Sequence, residues 1–306
     1  MIMEESEHAR LGVPLYQTDG NVYVIPDIHG DILRFTELLI QLKIIKMSRT
    51  LDEKPVIHWT APPRTIVVQL GDQLDSLDRR PSGGRGTSND WDIGDLKVVE
   101  LCYFLNILAK DTNGSRFINL YGNHEYENLH GNFSYVSGRC KEIYGDGRRE
   151  RFQPGSEYLK KYFSDRHVAC VVNDILFSHA GIKIEHVDKV KIAEMELTML
   201  VEEGIRLSED TRNGVLGKEG CLWTRFYTPD NFRSADAHAS YVNRLLGTKL
   251  LVIGHNVNES SSNIYISPGV NYIVADTGLS RVFGKKEIEV IIFTPQMNII
   301  KKHIFF

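Results

Sequence analysis

Six residues of this 306-residue chain have the side chains needed to cage metal ions: Asp27, His29, Asp72, Asn123, His179 and His255. They supply carboxylates, an amide oxygen and imidazoles, and no thiolate. Such a mixed oxygen and nitrogen inventory suits Mn, Fe or Zn rather than Ca, and does not select among them. Six donors are too many for one open catalytic ion but fit two divalent ions that share a bridging carboxylate. Two-metal sites hold their ions roughly 3.5–4 Å apart and clamp both oxygens of an in-line displacement. Two divalent ions set against Asp27, Asp72 and one hydroxide leave a net charge of about +1, which draws in a phosphate and favours its more highly charged transition state further.

The positions of these residues predict a common pocket. Val22–Ile25 reads as a strand and is followed by Asp27-Ile28-His29-Gly30. Thr65–Leu70 is followed by Gly71-Asp72 and then Asp75. Phe117–Leu120 leads to Gly122-Asn123-His124-Glu125, Ile175–Phe177 to Ser178-His179-Ala180-Gly181, and Leu250–Ile253 to Gly254-His255. In open α/β sheets the carboxyl ends of strands line the ligand crevice, so the side chains should converge although they are far apart in sequence.

Between these runs lie helical patterns. Ile32, Phe35, Leu38, Leu39 and Leu42 recur at helical spacing over Ile32–Ile45, behind Asp31 as a candidate N-cap. Leu96–Leu108 reads as a second helix, with Asp95 before it. Two hairpins follow: Val168–Val172 with Ile175–Phe177 around Asn173-Asp174, and Ile288–Phe293 with Ile299–Phe305 around a turn near Pro295. The strand-rich chain end reads as a second sheet. The expected fold class is α/β, a two-sheet β-sandwich flanked by helices. One catalytic domain is expected over residues 20–306, after a loosely ordered segment over 1–19. Arg79–Trp91, rich in Gly, Ser and Arg, reads as a flexible loop, and Phe133–Gln153 as an insertion.

Composition excludes several classes. The chain has 42% hydrophobic and 25% charged residues, ordinary for a globular protein. Its net charge of −4 argues against a strongly basic nucleic-acid binder. No apolar run approaches the roughly 18 residues of a membrane span, and the acidic, polar first ten residues do not read as a secretory signal. Cys102, Cys140, Cys170 and Cys221 are scattered, with no CxxC, which fits reduced thiols in the cytoplasm. Cys170 and Cys221 read as small core side chains.

Taken in order, Asp27-x-His29-Gly30, Gly71-Asp72-x-x-Asp75, Gly122-Asn123-His124-Glu125, His179-Ala180-Gly181 and Gly254-His255 resemble the phosphoprotein phosphatase branch of the calcineurin-like metallophosphoesterases. The run Gly122–Gly131 followed by Tyr135-Val136, the segment Leu222-Trp223-Thr224-Arg225 and Asp276-Thr277-Gly278 are similar to the bacterial-type Shewanella-like phosphatases. The resemblance implies that Asp27, His29 and a bridging Asp72 hold one metal, and Asp72, Asn123, His179 and His255 the other. His124 would be the general acid, Asp75 its hydrogen-bonding partner, and Arg225 a phosphate grip. The family places an Arg after the residue matching Asp75. Here that position is Ser76, and Arg79 and Arg80 are the candidates to replace it.

The implied reaction is hydrolysis of a phosphomonoester by in-line attack of hydroxide formed at the two ions. The substrate would be a phosphorylated protein or peptide, on Ser/Thr or Tyr, with neither nucleic acid nor membrane as a partner. A dinucleotide polyphosphate hydrolase or phosphodiesterase on the same core is the alternative, and a non-catalytic scaffold a further one. Glu125 reads as a loop support, and Tyr126 and His130 as packing residues, with a place at the border of the site as the alternative.

Overall fold

The computed structural model describes residues 12–50, 52–77, 95–257 and 261–306. Its strands are, in chain order, β1 (Leu15–Tyr16), β2 (Val22–Ile25), β3 (Ile45–Arg49), β4 (Pro55–Trp59), β5 (Ile66–Gln69), β6 (Arg116–Leu120), β7 (Arg166–His167), β8 (Ala169–Val172), β9 (Ile175–Ser178), β10 (Leu250–Ile253), β11 (Tyr265–Ile266), β12 (Tyr272–Val274), β13 (Glu287–Phe293) and β14 (Ile299–Phe305). The α-helices are α1 (Ile32–Gln41), α2 (Asp95–Lys110), α3 (Asn123–Leu129), α4 (Gly138–Arg151), α5 (Glu157–Phe163), α6 (Val190–Glu203), α7 (Glu209–Asn213) and α8 (Phe232–Leu246).

Among the described residues the strands form two six-stranded sheets, in the orders β14-β13-β2-β5-β6-β7 and β1-β8-β9-β10-β12-β11, with β3 and β4 as a separate hairpin. The centre of the first sheet is parallel, with Val22 opposite Ile66 and Ile66 opposite Arg116. In the second, β9, β10 and β12 are parallel, with Ile253 opposite both Ser178 and Val274. Their carboxyl ends therefore come level.

Side-chain alternation explains the layers. Val22, Val24, Val68, Ile118 and Leu120 meet Cys170, Val172, Phe177 and Val252 in the space between the sheets. The alternate residues Tyr23, Ile25, Val67 and Phe117 pack instead on Phe35 and Leu38 of α1 and Val98 and Leu105 of α2. On the far side, Val171, Leu176, Leu251 and Ile253 are covered by Leu159 of α5, Leu197 of α6 and Val242 of α8. Strands buried on both faces read as unbroken apolar runs, which is the form the sequence shows.

Two expectations, the end of the first helix and the place of the last hairpin, are corrected, and two other segments gain detail. The first helix ends at Gln41 rather than Ile45, because Lys43 turns the chain with φ 58° and Ile45 starts β3. Most of the insertion Phe133–Gln153 is helical: α4 is N-capped by Ser137, whose Oγ accepts from Cys140 N, and kinks at Gly145. The last hairpin does not found a sheet. It extends the first one, with Ile292 antiparallel to Tyr23. Within the segment expected to be loose, β1 pairs in parallel with β8, Leu15 opposite Val171. Arg79–Trp91 lies outside the described residues. No helix among them is long and apolar enough to cross a membrane. All four cysteines are buried, and none forms a disulfide among the described residues.

Candidate metal centre

Five strand ends deliver the predicted donors to one place. Asp27 and His29 follow β2, Asp72 follows β5, Asn123 opens α3 after β6, His179 follows β9 and His255 follows β10. All six are buried. The turns are tight enough that His29, Asp72, Asp75 and His255 adopt left-handed backbone, with φ of 48°, 50°, 59° and 58°. Asp and His tolerate that region better than β-branched or bulky residues do. Two neighbouring glycines are there because the carboxylates come close. A Cβ on Gly122 would overlap Asp72 Oδ1, and one on Gly254 would overlap Asp27 Oδ1.

Asp72 is the hub. Its Oδ2 lies 3.8 Å from His29 Nε2, 3.9 Å from His124 Nε2 and 3.5 Å from His179 Nε2. Its Oδ1 accepts the His124 backbone N–H at 2.9 Å. Asp27 accepts the His255 N–H at 3.1 Å. Among the described residues, two groups of donor atoms are close enough to hold an ion, His29/Asp72/His124 and Asp72/His179/His255, and Asp72 is common to both. Main-chain carbonyls fix two imidazoles. His179 Nδ1 donates to Leu70 O at 2.8 Å, and its Nε2 faces Asn123 Oδ1 at 3.0 Å and Asp72 Oδ2 at 3.5 Å. His255 Nε2 donates to Trp223 O at 3.1 Å, which leaves Nδ1. Orientation of ligating imidazoles by outer acceptors is the usual arrangement in metal sites.

The electrostatics fit bound cations. Burial, then the charges of Asp276 and Asp72, push the Asp27 carboxyl well above its ordinary range. Burial opposes ionisation of Asp72 too, but the imidazoles of His179, His124 and His29 hold it well below. Burial lowers His29 to about 4 and His255 well below the usual imidazole range. His29 Nδ1 is buried without a hydrogen-bond partner. Burial lowers His179 as well, but the Asp72 charge and hydrogen bond outweigh it and raise its pKa. Dry carboxylates facing one another beside these imidazoles form a donor set that divalent ions satisfy.

His124 sits at the edge of this set with a different environment. Its Nδ1 donates to Asp75 Oδ2 at 2.9 Å, and its ring stands edge-on to those of His29 and Tyr135. Burial lowers its pKa, but the Asp72 charge and the Asp75 hydrogen bond outweigh burial and raise it to about 9. Asp75 is itself gripped from α4, where Arg148 Nη2 reaches Asp75 Oδ1 at 2.8 Å and Nη1 reaches Asp95 Oδ2 at 2.6 Å. Asn128 donates to Asp75 at 3.0 Å and accepts from Arg148 Nε at 2.9 Å. Sequence reasoning missed Arg148, and it gave no part in the site to Asp95, read as a helix start, or to Asn128 and Asp276, read only as motif residues. The only signal for Arg148 was an Arg-rich run behind the Ser137 cap, and nothing local says which of Arg148, Arg149 and Arg151 turns inward.

Glu125 supports the loops more fully than expected. Its carboxylate accepts the N–H groups of Asp72, Gln73, Leu74 and Gly122 at 2.7, 2.9, 3.0 and 2.8 Å. Arg225 lies exposed at the rim, Nη1 donating to His255 O at 3.2 Å and Asn256 Oδ1 at 3.3 Å. Ser76 is buried, so its position presents no side chain to the rim. Arg79 and Arg80 fall outside the described residues.

No protein-family profile matches the chain. Among curated proteins, it is 26% identical over 275 residues to Shewanella-like protein phosphatase 1 of Plasmodium berghei (strain Anka), covering 86% of this chain and 68% of that one. It is 22% identical over 310 residues to Shewanella-like protein phosphatase 2 of Arabidopsis thaliana, covering 81% and 69%. Among solved structures, a cold-active protein-tyrosine phosphatase of a psychrophilic Shewanella superposes with a TM-score of 0.71 at 20% identity, over 96% of this chain and 84% of that one. A second structure of a cold-active protein tyrosine phosphatase gives 0.70 at 20% identity, over 96% and 80%. The chain therefore has the fold of these cold-active protein tyrosine phosphatases and is similar in sequence to the Shewanella-like protein phosphatases.

Proposed function

We propose that the protein is a metal-dependent phosphomonoesterase acting on phosphorylated proteins. The observation that carries this is the meeting of His29, Asp72, His179 and His255 in one dry pocket around Asp72, with Asp27 held against His255 and Asn123 against His179. Asp27, His29 and Asp72 would hold one ion, and Asp72, Asn123, His179 and His255 the other. The donor set supports Mn, Fe or Zn. When bound, two such ions polarise the phosphoryl oxygens and lower the pKa of a coordinated water towards about 7.

The protein's own part is proton delivery and grip. His124, held by Asp75 through Nδ1, presents Nε2 to the leaving oxygen and protonates it as the P–O bond breaks, so that the product departs as a neutral alcohol or phenol. Arg225, at the rim beside His255, offers a planar two-pronged donor to the phosphoryl oxygens. Arg79 and Arg80 are proposed as the second grip in place of the residue at Ser76. The names of the relatives support a phosphoprotein substrate, the net charge of −4 supports a partner other than nucleic acid, and four buried cysteines outside any disulfide support a reducing compartment such as the cytoplasm.

The test is turnover by manganese-loaded protein on phosphoserine, phosphothreonine and phosphotyrosine peptides, a phosphodiester and diadenosine tetraphosphate. Preference for the peptides is expected, and preference for the diester or the dinucleotide would replace this reading. Protein that retains no metal after purification with manganese would remove it.

A further inference from the structure

The helix that begins with Asn123 and His124 ends at a second cavity. This hollow of about 510 Å³ is lined by Leu129 and His130 at the end of α3, Arg149 of α4, Arg206 after α6 and Arg212 of α7, with Phe133, Phe152 and Leu207 in its apolar wall. Three guanidinium groups thus come from three different elements to one concavity, and no acidic side chain lines it. None of the three forms an ion pair among the described residues, whereas their neighbour Arg148 is saturated by two carboxylates. His130 feels the excess: burial first, then the charges of Arg212 and Arg206, lower its pKa. Arg149 Cζ lies over the Phe133 ring, 5.8 Å from its centroid, so the guanidinium rests against the apolar wall with its N–H edges still open to a ligand.

Uncompensated guanidinium groups over an apolar wall match an oxyanion carried on a side chain. Each can bind carboxylate or phosphate through two parallel N–H donors, and the wall can take up the apolar part of the ligand. We propose that this cavity is a second oxyanion site, which takes a carboxylate or phosphate group of the same polypeptide whose phosphorylated residue is at the metal centre. The seven residues of α3 span about 10 Å. An extended peptide covers about 3.3 Å per residue, so the second group stands at least about three residues from the first. The proposal rests on the phosphoprotein reading above and adds a sequence preference to it, for acidic or multiply phosphorylated segments.

Two measurements test it. The first compares KM for phosphopeptides bearing Ala, Glu or a second phosphoserine about three to five residues from the phosphorylated site, on wild type and on the double variant Arg206→Ala/Arg212→Ala. Wild type should show a KM lower by about tenfold for the acidic peptides. The variant should lose that preference while keeping its rate on p-nitrophenyl phosphate. The Glu and phosphoserine arms decide which anion is preferred. Equal KM values for the Ala and acidic peptides on wild type, or a preference that survives in the variant, would overturn the proposal. The second measurement is independent of catalysis: binding of a fluorescein-labelled, unphosphorylated peptide with paired Glu residues beside a Phe, to chelator-treated protein. Weakening in the variant of about fivefold or more supports the site, and unchanged affinity overturns it. If no phosphopeptide is turned over while this difference in binding persists, the phosphoprotein reading fails and the anion site stands.

Discussion

Arg148 and Asp75 meet 2.8 Å apart, 73 residues apart in the chain and with both side chains almost wholly removed from solvent. The same guanidinium holds Asp95, so that one cation lies between two buried carboxylates. With His124 protonated, the four charges sum to zero, and the second positive charge is the one that chemistry uses. Removing Arg148 leaves two buried carboxylates without their cation. Arg148→Ala is expected to destabilise the fold by about 3–5 kcal/mol, read by urea denaturation. Arg148→Lys should restore part of that loss. A change below about 1 kcal/mol for the Ala variant would show that the pair is solvated.

His124 and Asp72 separate proton delivery from metal binding. His124→Asn should keep its metal while losing about 10²–10⁴-fold in turnover of poor leaving groups, and less on p-nitrophenyl phosphate. Asp72→Asn should lose metal and activity together, as metal analysis and assay of one preparation would show. Equal losses across leaving groups in His124→Asn would take the acid role from His124.

In metal-free protein the same imidazole sets a pH dependence. Its pKa is raised from 6.5 to about 9. Between those values the folded state keeps a proton that the unfolded chain has released. Its contribution to stability is therefore full below about pH 6.5 and is lost as pH rises through about 9. The stability gap between chelator-treated wild type and His124→Asn should narrow over that window, by an amount on the order of 3 kcal/mol. A gap that is constant with pH would contradict the assignment.

Glycine at positions 122 and 254 has a steric role that can be measured. Gly122→Ala sets a methyl against Asp72, and Gly254→Ala sets one against Asp27. Both should lower metal affinity, by about 10–100-fold as for displaced ligands or their supports; Gly122→Ala also meets the Asp72 main-chain nitrogen and should lose stability without metal, whereas Gly254→Ala should lose less. Titration with manganese followed by calorimetry checks this, and wild-type affinity in both would show that the carboxylates move aside freely.

Manganese should also stabilise the folded chain by mass action. At a hundred times its dissociation constant one ion contributes about 2.7 kcal/mol. Thermal unfolding with metal or with chelator should differ in wild type and not in Asp72→Asn.

The sequence revealed the strands and their ends best. Val22–Ile25 and Leu250–Ile253 match β2 and β10 to the residue, because an apolar run buried on both faces stops where a polar turn begins. The six donors were legible for the same reason, each standing just beyond such a run. The end of α1 was not, since Ile44 and Ile45 continue an apolar pattern past a left-handed turn at Lys43 that no glycine marks. The place of β13 and β14 was hidden as well, because only the pairing of Ile292 with Tyr23 decides which sheet they join. Arg148 was least legible, as its partners are supplied by α2 and by the turn after β5, far away in the chain.

The left-handed backbone at His29, Asp72, Asp75 and His255 has an evolutionary consequence. Each such residue costs on the order of 1 kcal/mol that glycine would not. Mutational drift towards glycine would relax the main chain at all four positions and erase the group that each displays. Selection for turnover and selection for robustness therefore pull in opposite directions at these codons, and a lineage freed from the need to hydrolyse phosphate should lose these side chains before it loses the apolar runs behind them.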